Sequence, residues 1–116
     1  MALRVVVVDD QPTFRMLLEA SMGSECEVVG EASNGAEALA QVATLRPDIV
    51  IMDLEMPAMD GIEATKSIKQ LFPDIRVYCF TCMSDDTGRL TEMLAAGATA
   101  NFDKSNLTGL LTAIAI

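Results

Sequence analysis

Two short aliphatic runs, each closed by aspartate, constrain the fold of this chain most strongly. Residues 3–8 end in Asp9 and Asp10, and residues 49–52 end in Asp53. Runs of this length that are rich in valine and isoleucine are typical of strands buried on both faces of a parallel sheet. Because parallel strands present their carboxyl ends at one edge, where ligands bind, we expect the three carboxylates to gather there.

Three carboxylates held close together repel one another, and one of them would have to take up a proton if nothing else neutralised the charge. A divalent cation among Asp9, Asp10 and Asp53 removes that difficulty. The pattern therefore predicts a metal ion beside a nucleophilic aspartate, at the rim of a parallel sheet.

Strand and helix patterns alternate along the chain. Apolar runs predict strands at residues 3–9, 26–31, 48–53, 75–80 and 98–103. Helices are predicted to begin at Pro12, after an N-cap at Asn34, near Gly61 and after an N-cap at Ser84, and a last helix covers residues 106–115. Five such units with right-handed crossovers predict an α/β fold, a doubly wound five-stranded parallel sheet with helices on both faces.

The predicted helices carry apolar faces that should cover this sheet. Helical spacing assigns these inward-facing side chains: Phe14, Leu17, Leu18 and Met22; Ala38, Leu39, Val42 and Leu45; Ile62, Ile68 and Leu71; and Leu90, Met93 and Leu94. Gly97 is suited to end the fourth helix as its C′ residue. On the first helix, the spacing leaves four residues to point outward: Pro12, Arg15, Met16 and Glu19.

Length and composition limit both architecture and function. The 116 residues suit one domain, residues 1–116, and 51% of them are hydrophobic while only 4% are aromatic. The core must therefore be largely aliphatic. A net charge of −9 argues against direct binding to nucleic acid or to an anionic membrane.

Other classes are excluded by what the sequence lacks. No apolar run approaches the length that spans a membrane, and the N-terminus does not resemble a signal peptide. Three cysteines do not suggest a disulfide framework, so we expect a reducing cytoplasm. Histidine is absent, which excludes histidine-based acid–base catalysis, histidine-ligated zinc and any role as a phosphohistidine donor.

The residues at the predicted strand ends resemble those of the receiver (CheY-like) domains of two-component response regulators. The resemblance covers the whole chain and rests on Asp9-Asp10, on Asp53-Leu54-Glu55-Met56-Pro57 with Asp60-Gly61, on Thr81 and on Lys104. Residues 4–75 are most similar to receivers that precede a LuxR-type helix-turn-helix output domain. The resemblance implies a flavodoxin-like sheet with strand order 2-1-3-4-5.

This resemblance implies a phosphoacceptor signalling switch and not a turnover enzyme. A sensor histidine kinase or phosphotransfer protein would phosphorylate Asp53 with Mg²⁺, and the altered surface would control an output protein or domain. Thr81 and Lys104 would stabilise the charge of the transferred group. The implied metal ligands are Asp9, Asp10, Asp53 and the backbone carbonyl of Glu55.

The resemblance also implies where partners bind. The phosphoryl donor is expected on the first helix, with Arg15 as a contact, and the output partner on the fourth helix, fifth strand and fifth helix. A phosphorylation-dependent dimer is a further expected assembly. Asn101 replaces the usual aromatic switch residue, and Phe102 should face the other side of the strand. We therefore expect activation to centre on Thr81 and on the loop at residues 82–86.

A small aspartyl-phosphate phosphatase similar to the haloacid dehalogenase class is an alternative. That class also combines an aspartate nucleophile with Mg²⁺, threonine and lysine, and Glu55 stands two positions after Asp53, where it has an acidic residue. However, Pro57 departs from its usual motif, which continues with threonine or valine. The chain also has no cap domain to enclose a substrate.

A thiol redox module is a third possibility, because Cys79 and Cys82 form a C-x-x-C pattern. In a strand their Cα atoms would lie roughly 10 Å apart, whereas a disulfide needs less than about 7 Å. The sequence offers no second pair for a zinc site. We expect Cys79 in the core and Cys82 at the lip of the predicted site, beside Thr81.

Overall fold

The computed structural model describes residues 2–82 and 87–115. Five strands, β1 to β5, cover Leu3–Val8, Cys26–Ala32, Ile49–Met52, Arg76–Thr81 and Ala100–Asp103. Five helices, α1 to α5, cover Pro12–Ser21, Gly35–Leu45, Gly61–Leu71, Thr87–Ala95 and Leu107–Ile114. The strands and helices follow the predicted order, and the shifts at strand ends are within the ordinary uncertainty of element boundaries.

The five strands form one parallel sheet in the order β2-β1-β3-β4-β5, which confirms the predicted topology. Val8 of β1 pairs with Met52 of β3, and Met52 pairs in turn with Cys79 of β4. Thr81, at the end of β4, pairs with Asp103 at the end of β5. These registers bring the carboxyl ends of four strands to the same edge of the sheet.

Helices cover both faces of the sheet and bury two separate aliphatic cores. One core contains Val6 and Val8 of β1 together with Met93 of α4. The other contains Val5 of β1 together with Leu110 of α5. The alternation within β1 shows why a continuous valine run is needed, since both sides of the strand are buried.

The helix ends follow the predicted capping pattern where they can be seen. The Asn34 side chain accepts a hydrogen bond from the Glu37 N–H at 2.9 Å, as an N-cap should. Gly97 has a φ of +118° and ends α4. The N–H groups of Gly97 and Ala98 donate to the carbonyls of Leu94 and Met93, which is the Schellman arrangement. The predicted N-cap at Ser84 lies outside the described residues.

Three leucines predicted to face the core are instead exposed. Leu17, Leu71 and Leu94 have 40%, 66% and 48% of their surface accessible. Each of these short helices can bury only a narrow stripe, and Leu18 and Met93 occupy it next to Leu17 and Leu94. Leu71 is the last residue of α3. Within the described ranges, the structure contains no helix of the length and apolarity needed to cross a membrane.

Candidate functional site

The three predicted aspartates meet at the carboxyl edge of the sheet. Asp9 and Asp53 are buried, Asp10 is exposed, and one carboxylate oxygen from each lies within 4.8 Å of the others. The Asp53 N–H donates to the carbonyl of Val8 at 3.0 Å, which extends the β1–β3 pairing by one residue. The hydrogen-bonded backbone of the sheet therefore fixes the positions of the Cα atoms from which these side chains extend.

The first residue of α3 packs against the backbone of Asp53. Gly61 is buried, and a Cβ atom placed on it would collide with the backbone carbonyl oxygen of Asp53. The Gly61 N–H donates to the carbonyl of Leu54 at 3.0 Å. Asp60 caps the helix by accepting from the Glu63 N–H at 2.9 Å. Only glycine fits at position 61 because the two backbones approach so closely.

Thr81 and Lys104 contact the two oxygens of the Asp53 carboxylate. The Thr81 hydroxyl donates to Oδ1 at 2.7 Å, and the Lys104 ammonium lies 3.4 Å from Oδ2. Lys104 also lies 2.8 Å from Oδ2 of Asp9, and its side chain is only 7% exposed. The Lys104 N–H donates to the Thr81 carbonyl at 2.9 Å, which couples the ends of β4 and β5.

Burial and charge act in opposite directions on these groups. Burial raises the pKa of Asp9, and the nearby charge of Asp53 raises it further. Hydrogen bonds from Lys104 and from the Gln11 N–H lower it, but the net shift of the Asp9 pKa is upward. Burial alone would lower the pKa of Lys104, but hydrogen bonds and attraction from Asp9 and Asp53 raise it above its ordinary value. Lys104 therefore remains a cation at neutral pH.

A small open cavity leads to this cluster. Its volume is about 230 Å³, and Asp53, Thr81, Lys104 and Cys82 are among the residues that line it. Glu55 lines it too, although its carboxylate is 76% exposed and lies 3.6 Å from Arg89. A carboxylate nucleophile flanked by a hydroxyl donor and an ammonium group is suited to accept an electrophilic group that carries negative oxygens.

The donor set also suits a hard divalent cation. The oxygens of Asp9, Asp10 and Asp53 are close enough to share one ion. Mg²⁺ favours carboxylate oxygens and keeps several water ligands, which suits the exposed Asp10 at the solvent side of the cluster.

Arg15 does not point outward, contrary to the prediction. Its guanidinium donates to the backbone carbonyl of Asp9 at 2.6 Å and pairs with Glu31 at 3.2 Å, and its side chain is 19% exposed. Satisfying the carbonyl at the end of β1 draws the side chain back over the sheet edge. Arg15 therefore supports the backbone of the site, while Met16, with 68% of its surface exposed, faces outward as predicted.

Two further residues near the site were missed by the sequence analysis. Phe14 was assigned only to the core, but its ring lies directly against the Lys104 ammonium. Arg89 of α4 lies 3.2 Å from Asp60 and also reaches Glu55, so it bridges to the loop after β3. Neither contact has a sequence signal, because both join side chains that are distant in sequence and meet only in the packed structure.

Asn101 and Phe102 face opposite sides of β5, as predicted. The Asn101 amide donates to the carbonyl of Leu90 in α4 at 3.1 Å. Its carbonyl oxygen Oδ1 is buried and has no hydrogen-bond partner among the described residues. Phe102 packs in the other core beside Tyr78, with ring centroids 6.4 Å apart. Of the loop expected to carry the switch, residues 83–86 lie outside the described residues.

The cysteines occupy the positions predicted for them. Cys79 is buried in the core, Cys82 is exposed at the mouth of the cavity, and both are free thiols. Cys26, at the start of β2, is half-buried and also free. The C-x-x-C pattern thus joins one core residue to one surface residue.

Comparison with known proteins matches this geometry to one family. The family model described as the response regulator receiver domain matches residues 5–115. A protein-glutamate methylesterase/protein-glutamine glutaminase of Anaeromyxobacter dehalogenans is 44% identical over 104 residues, which cover 88% of this chain and 30% of the relative. The chain therefore spans about 30% of the length of that relative.

Solved structures show the same relationship. The signal receiver domain of the response regulator NarL from Mycobacterium tuberculosis is 31% identical, with a TM-score of 0.89 and coverage of 98% of this chain and 94% of that one. A two-component response regulator of the LuxR family from an Aurantimonas species is 32% identical, with a TM-score of 0.85 and coverage of 98% and 85%.

Proposed function

This chain belongs to the family of response regulator receiver domains, the phosphoacceptor switches of two-component signalling, and from that premise we propose that Asp53 is its phosphoacceptor. One observation carries the proposal: Thr81 and Lys104 converge on the two oxygens of a single carboxylate at the base of the cavity. Asp9 lacks a contact of this kind with Thr81 among the described hydrogen bonds, and Asp10 is exposed. We take residues 1–116 as one receiver domain.

In the proposed reaction, a carboxylate oxygen of Asp53 attacks the phosphorus atom of the donor. A phosphorus–oxygen bond forms, giving an acyl phosphate, and the bond from phosphorus to the donor nitrogen breaks. The nitrogen leaves with the electron pair of the broken bond and takes up a proton from solvent. As the phosphoryl group is transferred, the Thr81 hydroxyl exchanges its hydrogen bond to Asp53 Oδ1 for one to a phosphoryl oxygen, and Lys104 donates to another; both groups start beside the carboxylate, so the displacement needed is small.

The proposed metal is Mg²⁺, held by Asp9, Asp10, Asp53 and the backbone carbonyl of Glu55. When bound, it would neutralise charge on the carboxylates and on the phosphoryl oxygens. The proximity of the three carboxylates supports this assignment. Lys104, already paired with Asp9 and Asp53, would add a second positive charge beside the nucleophile.

Residues 1–116 contain no histidine, so they cannot supply a phosphohistidine donor themselves. We propose that a histidine kinase or phosphotransfer protein docks on α1 through the exposed side chains of Met16 and Leu17. This surface replaces the one centred on Arg15. The proposed output face is α4, β5 and α5, which Thr81 and Lys104 adjoin.

Labelling with acetyl phosphate and Mg²⁺ tests the phosphoacceptor. Wild-type protein should gain one hydroxylamine-sensitive phosphate, and Asp53→Asn should gain none. Asp74→Asn, which changes an exposed aspartate before β4, is the matched control and should label like wild type. Equal labelling of Asp53→Asn and wild type would place the phosphate elsewhere. Sustained hydrolysis of small phosphate esters would favour the phosphatase interpretation.

A further inference from the structure

The Lys104 ammonium is enclosed by two carboxylates and one aromatic ring. Its Nζ atom lies 4.0 Å from the centroid of the Phe14 ring. Asp9 and Asp53 lie 2.8 Å and 3.4 Å from the same atom. The side chain is 7% exposed, so little water competes for the ammonium. The Lys104 ammonium is therefore in contact with the apolar Phe14 ring as well as with the two carboxylates of the predicted site.

The Phe14 ring is fixed by the core and not by the lysine. It packs edge to face on Phe80, with centroids 6.4 Å apart and planes at 81°. Phe80 is 1% exposed and immediately precedes Thr81 in β4. The next residue in α1, Arg15, holds that helix to the Asp9 carbonyl. The face presented to Lys104 therefore has a position set by α1 and β4 together.

An aromatic face offers this lysine something that an aliphatic side chain cannot. The negative face of the ring attracts the ammonium, and the attraction is strongest where water is excluded. The ring is not a strong hydrogen-bond acceptor, so the N–H donors of Lys104 remain available to oxygen atoms. Lysine needs such restraint because its charge lies at the end of a flexible four-carbon stem.

We propose that Phe14 is a positioning residue for Lys104, an inference that rests on the role proposed above for Lys104. The ring holds the ammonium between Asp9 and Asp53 before the phosphoryl group arrives. The cation is then already placed when negative charge develops on the transferring oxygens, and no reorganisation of the lysine is needed at that moment. Phe14 touches neither the phosphoryl donor nor Asp53 in this role.

Substitution at position 14 gives the first test. Phe14→Leu keeps an apolar side chain but removes the aromatic face, and it should lower the rate constant for labelling by acetyl phosphate by roughly three- to tenfold at saturating Mg²⁺. Phe14→Tyr should restore most of that rate. Phe102→Leu is the matched control, since it removes a partly buried ring that packs on Tyr78, and its labelling rate should stay near wild type.

A fluorination series separates the charge effect from packing. Phenylalanine with one, two and three ring fluorines has a progressively weaker negative face but nearly the same shape. Replacing Phe14 with these residues should lower the labelling rate in step with the loss of cation attraction. The same series in a Lys104→Met background should be flat. A flat series in the lysine-containing protein, with labelling at Asp53 intact, would overturn the inference and leave the proposed function standing.

A second measurement does not depend on labelling. A ring face over Lys104 should shift the NMR signals of its ε-methylene protons upfield, and Phe14→Leu should remove that shift. Its absence from the wild-type spectrum would overturn the inference even if acetyl phosphate labels the protein. Conversely, a protein that shows the shift but gains no phosphate on Asp53 would refute the proposed function and retain Phe14 as the residue that positions Lys104.

Discussion

The side-chain amide of Asn101 donates a hydrogen bond to the backbone carbonyl of Leu90 and so ties β5 to α4. The carbonyl oxygen of the same amide, Oδ1, is buried and lacks a partner within residues 2–82 and 87–115. A buried acceptor left unpaired costs about 1–3 kcal/mol, which is comparable to or larger than the gain from a single hydrogen bond. Asn101 therefore fixes the position of α4 relative to β5 at a cost in stability.

We predict that Asn101→Leu raises the free energy of unfolding by about 1 kcal/mol, because it removes the unpaired acceptor and keeps the branched shape of the side chain. Asn101→Asp should lower it, since that change buries a charge. Urea denaturation measures both. In wild type, binding of beryllofluoride should shift the backbone NMR signals of Thr81 and residues 87–90, and Asn101→Leu should weaken the response in α4. Large shifts confined to Phe102 and its neighbours would contradict this.

Mg²⁺ should stabilise the folded protein, because it relieves repulsion among Asp9, Asp10 and Asp53. A ligand at a hundred times its dissociation constant contributes about 2.7 kcal/mol. The melting temperature should therefore rise with Mg²⁺ concentration, fall again on chelation, and rise much less in Asp10→Asn. Asp74→Asn serves as the control. An equal rise in Asp10→Asn and wild type would place the metal away from this cluster.

Without divalent cations, Asp9→Asn should stabilise the protein at neutral pH. Burial raises the pKa of Asp9 in the folded state, so ionised Asp9 destabilises the fold at high pH. That penalty is full above the raised folded-state pKa and disappears as pH falls below the ordinary value of 3.8, where Asp9 is protonated in both states. The advantage of Asp9→Asn, measured by urea denaturation with a chelator present, should shrink accordingly. A less stable variant at pH 7 would show that the ion pair with Lys104 outweighs burial.

The three thiols should react with an alkylating reagent at very different rates. Burial raises the pKa of Cys79 to about 12, so almost no thiolate is present at pH 8, and the residue is also inaccessible. Burial raises the pKa of Cys26 too, and only Cys82 is exposed. Mass spectrometry should find one rapidly modified site, absent from Cys82→Ser. Formation of a Cys79–Cys82 disulfide under mild oxidant would revive the redox hypothesis.

The outward face of α1 should control transfer from a protein donor. Met16→Glu is expected to slow transfer from the phosphorylated kinase or phosphotransfer protein by at least tenfold while labelling by acetyl phosphate is unchanged. Leu71→Glu is the matched control, because this leucine is similarly exposed but lies at the end of α3, away from α1. Arg15→Glu should slow both reactions, since Arg15 holds the Asp9 carbonyl. Normal transfer to Met16→Glu would move the docking surface elsewhere.

The sequence predicted the sheet and the position of the site because both depend on short-range patterns. A valine run followed by aspartate indicates a buried strand and the edge at which it ends, and Asp9, Asp10 and Asp53 do meet there. The apolar face of α1 was predicted only in part. Helical spacing placed Leu18 inward and Met16 outward, as observed, but it also assigned Leu17 to the core, and only the packed structure shows that Leu17 is exposed.

The contacts made by the Arg15 and Phe14 side chains could not be predicted from the sequence either. Arg15 turns back to the Asp9 carbonyl and Phe14 turns to Lys104, although helical spacing describes only the direction in which each side chain leaves the helix. The partners of these side chains, the Asp9 carbonyl just after β1 and the Lys104 ammonium just after β5, are set by how α1 packs against the sheet edge. Periodicity carries no information on such partners.

The close approach of Gly61 to the Asp53 carbonyl restricts the direction in which Asp53 can move. Because α3 already abuts the backbone of Asp53, that backbone could not move toward α3 if the side chain were phosphorylated as proposed. The added volume must be accommodated toward the cavity, where Thr81 and Lys104 stand at the ends of β4 and β5. The contact at Gly61 therefore directs the displacement expected from the proposed phosphorylation toward β4 and β5.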